Sequence, residues 1–155
     1  MPYDIQLQKQ TARPLAVIRR RASPQQLPKV IPEACGIVWK ILRTHRIGGA
    51  GRHIALYWDC EINLEVGVEM LAPFAGCGEV VGSTTPAGLV ATTIHHGPYQ
   101  QLHAAHEAIR QWCATNDYTL AGPNWEIYDH WQDEWNRDPT KIRTDVFYLL
   151  SPQES

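Results

Sequence analysis

The sequence predicts an α+β fold, in which two helices cover one face of a six-stranded, mostly antiparallel sheet and a ligand cleft lies on the opposite face. Two observations support this fold class. Each half of the chain repeats the order strand, helix, strand, strand, and each half contains one segment with apolar residues at helical spacing. A length of 155 residues suits one compact domain with its own core. We therefore expect a single domain over residues 1–155, with pseudo-repeats at about 1–72 and 80–151.

The predicted strands are short runs rich in apolar, β-branched and aromatic residues. In the first repeat they are 15–18, 54–58 and 64–68, and in the second 89–94, 125–128 and 146–150. The segment 73–86 between the repeats is rich in Gly, Ala, Ser, Thr and Pro, which is typical of a linker. The segment 129–143 is polar but carries Trp131 and Trp135, and we expect a long loop or a short helix beside the site.

Both predicted helices are flanked by residues that are typical of helix starts and ends. The first spans about 32–46, with Pro32 in the first turn, where a missing N–H costs nothing, and Gly48 after its end. Its apolar stripe consists of Ala34, Ile37, Val38, Ile41 and Leu42. The second spans about 98–115 and is followed by turn residues at 116–117. Its stripe consists of Leu102, Ala105, Ile109 and Trp112.

Strand side chains alternate between the two faces of a sheet, so each predicted strand divides into two sets. The positions predicted to face the helices are Leu56, Val66, Val68 and Ile127. The positions predicted on the open face are Tyr57, Glu69, Glu126 and Tyr128. An aromatic and acidic face left open by the helices is a place where a ligand binds.

Glu126 is the strongest candidate for a functional acid. It lies in the segment 122–128, between aromatic residues, and shares a strand face with Tyr128. A carboxylate on an apolar face is costly to desolvate unless something compensates it. The compensation is a partner residue, a bound cation or a raised pKa; the alternative is an exposed glutamate, or one paired with Arg143.

Six Trp and six Tyr against only two Phe favour an aromatic binding pocket. Their flat faces attract cations by roughly 0.5–2 kcal/mol each. The candidate ring residues are Trp39, Tyr57, Tyr99, Trp125, Tyr128, Trp131, Trp135 and Tyr148. For any one of them, a plain core or rim position is the competing interpretation.

Composition and motifs exclude several classes of function. A net charge of −2 argues against general nucleic-acid binding, and the arginines at 19–21 are typical of a solvated strand edge. No apolar run approaches the roughly 18 residues of a membrane span, and we expect a cytoplasmic protein with reduced thiols at Cys35, Cys60, Cys77 and Cys113. His103 and His106 lack a third ligand, so we expect no metal, and no motif indicates a cofactor.

The motifs of the second half resemble the GyrI-like small-molecule-binding domain, which is also the effector-binding half of some AraC-type and MerR-type multidrug regulators. The matching segments are 95–99, 122–128 and 143–146, with 64–69 in the first half. The resemblance implies a cleft for bulky aromatic, often cationic compounds. It implies that Glu126 is the buried acid, that Trp125, Tyr128 and Tyr99 surround it, and more loosely that Trp39 and Tyr57 do so.

Three functions stay open at this point. The first is a stand-alone domain that binds aromatic or lipophilic cations, with ligand contacts that also include Glu69 and Tyr148. The second, implied by the resemblance, is hydrolysis of cyclopropane-bearing genotoxins, with Glu126 and Tyr99 as catalytic residues. The third is an interaction with a protein such as gyrase or a separate regulator. Because no helix-turn-helix segment is recognisable, we expect no direct nucleic-acid binding.

Overall fold

The computed structural model of the chain describes residues 3–59 and 63–152. Within them, eight strands form one antiparallel sheet and two α-helices pack against it. The strands are β1 (Gln6–Gln10), β2 (Pro14–Arg21), β3 (Ala50–Tyr57), β4 (Asn63–Met70), β5 (Val81–Thr84), β6 (Gly88–His96), β7 (Leu120–Tyr128) and β8 (Arg143–Leu150). The helices are α1 (Leu27–Thr44) and α2 (Leu102–Thr115). Neither helix is long and apolar enough to cross a membrane.

The strand order β1-β6-β8-β7-β3-β4-β2-β5 confirms the predicted fold class. The first repeat is β2-α1-β3-β4 and the second is β6-α2-β7-β8. In each repeat the last strand lies between the other two. The repeats join through the antiparallel pair β3–β7, so the seam between them runs through the middle of the sheet.

The sheet has two strands more than the six predicted. β1 precedes the first repeat but pairs with β6 of the second, and β5 precedes the second repeat but pairs with β2 of the first. β5 lies in the segment 73–86, which we predicted as a linker. Both strands are short, and their sequences lack the apolar alternation that marks a strand, because they cover sheet edges rather than a core.

Helix α1 begins at Leu27, five residues earlier than predicted, so that Pro32 lies inside it. Pro28 occupies the first turn, where the missing N–H is harmless. Pro32 has no N–H to donate to the carbonyl of Pro28, four residues before it. These prolines give the first half of α1 a rigid apolar surface. Helix α2 begins at Leu102, after a 3₁₀ turn over Tyr99–Gln101.

The prediction of which residues face the helices was right for some strand positions and wrong for others. Val66 and Val68 pack with α1, as expected. Leu56 and Ile127 lie on the opposite face, in one cluster with Trp125. Both faces of the central strands are buried, so apolar residues point to either face. Alternation in their sequences therefore does not show which face packs against the helices.

The two helices leave a gap over the middle of the sheet. Helix α1 packs on β2 and β4, and α2 packs on β6 and β8. Each helix thus covers the outer strands of its own repeat, and the central pair β3–β7 lies between them. The cleft therefore opens on the helix side of the sheet, not on the opposite face as predicted. The gap between the two helices forms this cleft. One continuous helical layer would fill it.

We expect Gly67→Ala to destabilise the protein severely, because a Cβ at this position would lie 1.9 Å from the Ala16 carbonyl oxygen on the neighbouring strand. The free energy of unfolding should fall by about 4 kcal/mol or more, measured by urea denaturation. Gly36→Ala is the matched control. Gly36 lies inside α1 with no atom within 4 Å of an added Cβ, and the change should stabilise by about 0.5–1 kcal/mol. Equal effects of the two substitutions would contradict this account of the β2–β4 packing.

Candidate functional site

A cleft of about 610 Å³ lies between α1 and α2, above the seam of the sheet. One wall comes from the chain leading into α1 and from α1 itself: Pro24, Leu27, Pro28, Ile31, Pro32 and Cys35. The other wall comes from the start of α2: Tyr99, Gln100, Leu102 and His103. The floor is formed by His53 of β3 and by Glu126 and Tyr128 of β7. The cleft is thus mostly apolar with a few convergent polar groups, which is typical of a small-molecule site.

Glu126 lies at the floor with only 6% of its surface exposed. Its Oε1 accepts hydrogen bonds from the hydroxyls of Tyr128 at 2.6 Å and Tyr57 at 3.3 Å. Its Oε2 lies 2.6 Å from Nε2 of His106. Partner residues therefore compensate the buried carboxylate. The alternative that Glu126 pairs with Arg143 is wrong, because Arg143 binds Asp145 at 2.9 Å.

The partners of Glu126 continue into a chain of polar groups beneath α2. Nδ1 of His106 lies 2.6 Å from the hydroxyl of Tyr148 on β8. The same hydroxyl accepts a hydrogen bond from Nη1 of Arg110 at 3.0 Å. His106 is buried and Arg110 lies at the surface, so the chain links the floor of the cleft to the outside of the helix.

Two tyrosines provide aromatic surface beside the carboxylate. The rings of Tyr99 and Tyr128 meet edge to face, with centroids 5.6 Å apart. Burial, and after it the Glu126 carboxylate, raises the pKa of Tyr128 well above its ordinary value. Burial also raises the pKa of Tyr99. Both phenols stay protonated at neutral pH, so they act as hydrogen-bond donors.

His53 is a neutral polar group on the floor. The indole N–H of Trp39 donates to its Nε2, which places the proton of the neutral imidazole on Nδ1. Burial lowers the pKa of His53, and His130 lowers it further. Trp39, on α1, contacts the histidine and is not among the described residues that line the cleft.

The structure brings most of the predicted site residues together. Tyr57, Tyr99, Tyr128 and Tyr148 surround Glu126 or continue its hydrogen-bond chain.

Two predicted ligand contacts lie elsewhere, on the opposite face of the sheet. Trp125 is buried against Phe147, with the two rings stacked 5.4 Å apart. Glu69 pairs with Arg13 and Arg52, each at 2.9 Å. The position of Trp125 follows from strand alternation: its neighbour Glu126 faces the cleft, so Trp125 faces the other side of the sheet. Glu69 lies on the face opposite the helices, as predicted, but the cleft is on the helix side of the sheet.

The segment 129–143 forms two 3₁₀ turns, Asp133–Asn136 and Pro139–Lys141. Trp131 and Trp135 pack edge to face at 5.3 Å, and neither is among the described residues that line the cleft.

His106 is the residue that the sequence analysis missed. It had been considered only as a zinc ligand with His103. The structure instead places His106 on Glu126, and His103 at the rim, bonded to the Gln100 carbonyl. A signal was present, because the buried stripe of α2 has helical spacing and includes one polar position. The stripe consists of Leu102, Ala105, His106, Ile109 and Cys113. A polar residue within an apolar stripe needs a buried partner.

A second, shallower groove of about 390 Å³ lies at the end of β2 and β4, lined by Arg19, Arg20, Arg21, Trp58, Asn63, Leu64 and Glu65. Arg19 pairs with Glu65, and Arg20 pairs with Glu79. The paired and exposed side chains agree with the solvated edge expected for residues 19–21.

The model of the GyrI-like small molecule binding domain matches residues 3–150 of the chain. Among solved structures, the EcmrR C-terminal domain superposes with a TM-score of 0.76 at 22% identity, covering 99% of this chain and 100% of that one. The full EcmrR chain in its DNA complex is longer, and the match covers 59% of it.

Two further solved structures share the fold. SAV2435, bound to tetraphenylphosphonium, gives a TM-score of 0.66 at 14% identity, with 97% and 94% of the two chains covered. A hydrolase encoded by lin2189 from Listeria innocua gives 0.62 at 11% identity, with 97% and 93% covered. No curated protein sequence matches the chain.

We expect the Cys35 thiol in the cleft wall to be nearly inert at neutral pH. Burial raises its pKa to about 11, so very little thiolate is present at pH 8. Alkylation by iodoacetamide at pH 8, followed by peptide mass spectrometry, should be on the order of a hundredfold slower than for a peptide cysteine with a pKa of about 8.5. The urea-unfolded chain is the control and should react at the peptide rate. Rapid alkylation of the folded chain would contradict the raised pKa of this half-buried thiol.

Proposed function

The chain belongs to the family of GyrI-like small molecule binding domains, and we propose that it binds bulky aromatic or lipophilic cations in the cleft between α1 and α2. The observation that carries the proposal is the charge of the cleft. Glu126 is the one acidic residue among the described residues that line it, and these include no Lys or Arg. A cation entering the cleft therefore meets an anionic floor without a competing fixed positive charge.

The walls of the cleft suit the non-polar part of such a ligand. The prolines and aliphatic residues of α1 present a preformed apolar surface, so little conformational entropy is lost when a ligand packs on them. On the other side, Tyr99 and Tyr128 meet at an edge-to-face angle of 84°, so their ring faces point in different directions. Ring faces attract cations, and two faces that point in different directions can contact ligands of different shape.

The low exposure of Glu126 strengthens its attraction for a cation. Charges interact more strongly away from water, because solvent screens them less. The bound tetraphenylphosphonium of SAV2435 is a lipophilic aromatic cation and belongs to the proposed ligand class.

We expect Glu126→Gln to weaken binding of methyltriphenylphosphonium by at least about tenfold, because the amide keeps the shape of the side chain but removes its charge. Binding of triphenylphosphine oxide, a neutral molecule of nearly the same shape, should change by less than about threefold. Both dissociation constants are measured by isothermal titration calorimetry.

Glu107→Gln is the matched control for this experiment. Glu107 is exposed on α2, where its carboxylate accepts a hydrogen bond from Gln111, so the substitution makes the same change in net charge outside the cleft. Its cation affinity should equal that of the unchanged chain. Equal losses of the cation and the neutral molecule in Glu126→Gln would refute the charge role.

A second candidate function is hydrolysis, and the geometry around Glu126 favours it as the alternative. The carboxylate can accept a proton from a water molecule while the water oxygen bonds to a carbon of a strained cyclopropane. The C–C bond that breaks leaves its electron pair on the conjugated part of the substrate, where a phenol such as Tyr99 can donate a proton. The half-exposed Tyr99 lies beside Tyr128 and is accessible from the cleft.

We expect turnover, if this second function holds, to depend on both groups. Incubation with a cyclopropane-bearing alkylating toxin should release a product heavier by one water, detected by mass spectrometry, and Glu126→Gln should lower the rate by about a hundredfold or more. Stoichiometric binding without product would exclude hydrolysis and leave the binding function standing.

A further inference from the structure

We propose that the cleft selects lipophilic cations that also carry a hydrogen-bond acceptor, such as a ketone oxygen, and that Nδ1–H of His53 binds this acceptor. The inference rests on the proposed cation-binding function and adds a second polar contact to it. Glu126 attracts the positive charge of such a ligand, and His53 binds its oxygen; both residues lie on the floor of the cleft.

A β-bulge in β3 turns His53 toward the cleft. Between Ala50 and His53 this strand takes three residue steps, whereas β4 takes two between their partners. The extra residue shifts the alternation, so that Ala50 and His53 both lie on the helix side of the sheet. In a regular strand Arg52 would share the face of Ala50, and its guanidinium would place a positive charge on that side. The bulge thus places an imidazole on the floor in place of a guanidinium.

The contact with Trp39 fixes which nitrogen of His53 carries the proton. An indole N–H can only donate, so Nε2 of His53, 2.5 Å from it, is an acceptor. The same contact fixes the ring orientation, because the flipped ring would present a carbon atom to the indole. Burial, and after it His130, lowers the pKa of His53, which favours the neutral ring. The proton of this neutral ring therefore lies on Nδ1.

Nδ1–H of His53 is available to a ligand. No described residue accepts a hydrogen bond from it, and the fully buried side-chain polar atom that lacks a partner among these residues is Oγ1 of Thr144. Nδ1 is therefore within reach of solvent, on a residue that lines the cleft. A ligand that displaces water and offers an oxygen restores the hydrogen bond. A ligand without an acceptor leaves the N–H unpaired, which weakens its binding.

One ligand can contact Glu126 and His53 together. His53 pairs with Tyr128 across β3 and β7, and Glu126 lies two residues from Tyr128 on the same face. Diagonal neighbours of this kind have Cα atoms about 7–8 Å apart. A positive centre joined to an oxygen by a short aliphatic chain spans this distance. Tyr99, whose half-exposed hydroxyl lies in the same cleft, is the competing donor for that oxygen.

The test uses two triphenylphosphonium cations whose alkyl arms end in a phenyl ring. In one probe a ketone carbonyl joins the arm to the ring, and in the other a methylene takes its place. Both probes have the same charge and nearly the same shape, so the ratio of their dissociation constants reports the acceptor. The unchanged chain should bind the ketone about fivefold more tightly, measured by isothermal titration calorimetry at pH 8.

Two substitutions separate the ligand contact from the contact with Trp39. His53→Gln places an amide oxygen near the position of Nε2, so it keeps the acceptor for Trp39 and loses the donor at Nδ1. His53→Asn places an amide N–H near the position of Nδ1, so it keeps the donor and loses the acceptor. The preference for the ketone should disappear in His53→Gln and stay above about threefold in His53→Asn.

His45→Gln is the control, since His45 is exposed after the end of α1 and is not among the described residues that line the cleft. Its ketone preference should equal that of the unchanged chain. A preference that survives in His53→Gln would assign the ketone to another donor, such as Tyr99, and would overturn the inference. Equal loss in both His53 substitutions would mean that His53 only shapes the floor, and would overturn it as well.

A measurement on the unchanged chain carries the test if the His53 substitutions do not fold, as judged by circular dichroism. Nuclear magnetic resonance of the chain with isotope-labelled histidine detects the imidazole N–H groups. The ketone probe should shift the Nδ1–H signal of His53 more than the methylene probe does, because only the ketone accepts its hydrogen bond. Equal shifts with both probes would contradict the proposed contact.

The outcomes also separate this inference from the proposed function. If the unchanged chain binds neither probe, the proposed function itself fails. If it binds both probes with the same dissociation constant, the cleft takes lipophilic cations as proposed and only the role of His53 fails.

Discussion

The central interaction of this molecule is the set of hydrogen bonds that holds the Glu126 carboxylate out of water. Burying an unpaired carboxylate costs several kcal/mol, and each hydrogen bond to a charged group returns about 1.5–3 kcal/mol. Tyr57, His106 and Tyr128 come from β3, α2 and β7, so both repeats and a helix must be in place before the carboxylate is satisfied. The hydrogen bonds to Glu126 therefore also join the two halves of the domain.

The duplicated architecture explains why the cleft lies where it does. Each repeat brings one helix and places it over its own outer strands, which leaves the seam β3–β7 uncovered. The edge strands β1 and β5 each pair with the other repeat, and this exchange ties the halves together on both sides of the opening. A gap over a rigid sheet can stay open to a ligand while the apolar core remains packed.

The sequence predicted the elements well and the sheet faces less well. Apolar runs, helical stripes and turn residues located all six strands of the repeats and both helices. The placement of Leu56 and Ile127 failed because an alternating pattern identifies a face only when the other face is exposed to water. The edge strands were missed because they contribute backbone hydrogen bonds but bury few side chains. Such strands do not need the apolar residues by which a sequence reveals a strand.

Residue chemistry and local spacing were enough to predict the repeat and the fold class and to place Glu126 and Tyr128 on one strand face, since strand alternation couples residues two positions apart. Only the tertiary structure decided which side of the sheet is open, that α1 supplies a proline-rich wall, and that His106 reaches Glu126 across 20 positions. Contacts between distant segments depend on how the helices pack on the sheet. That packing is set by the sum of many apolar contacts, and no single motif records it.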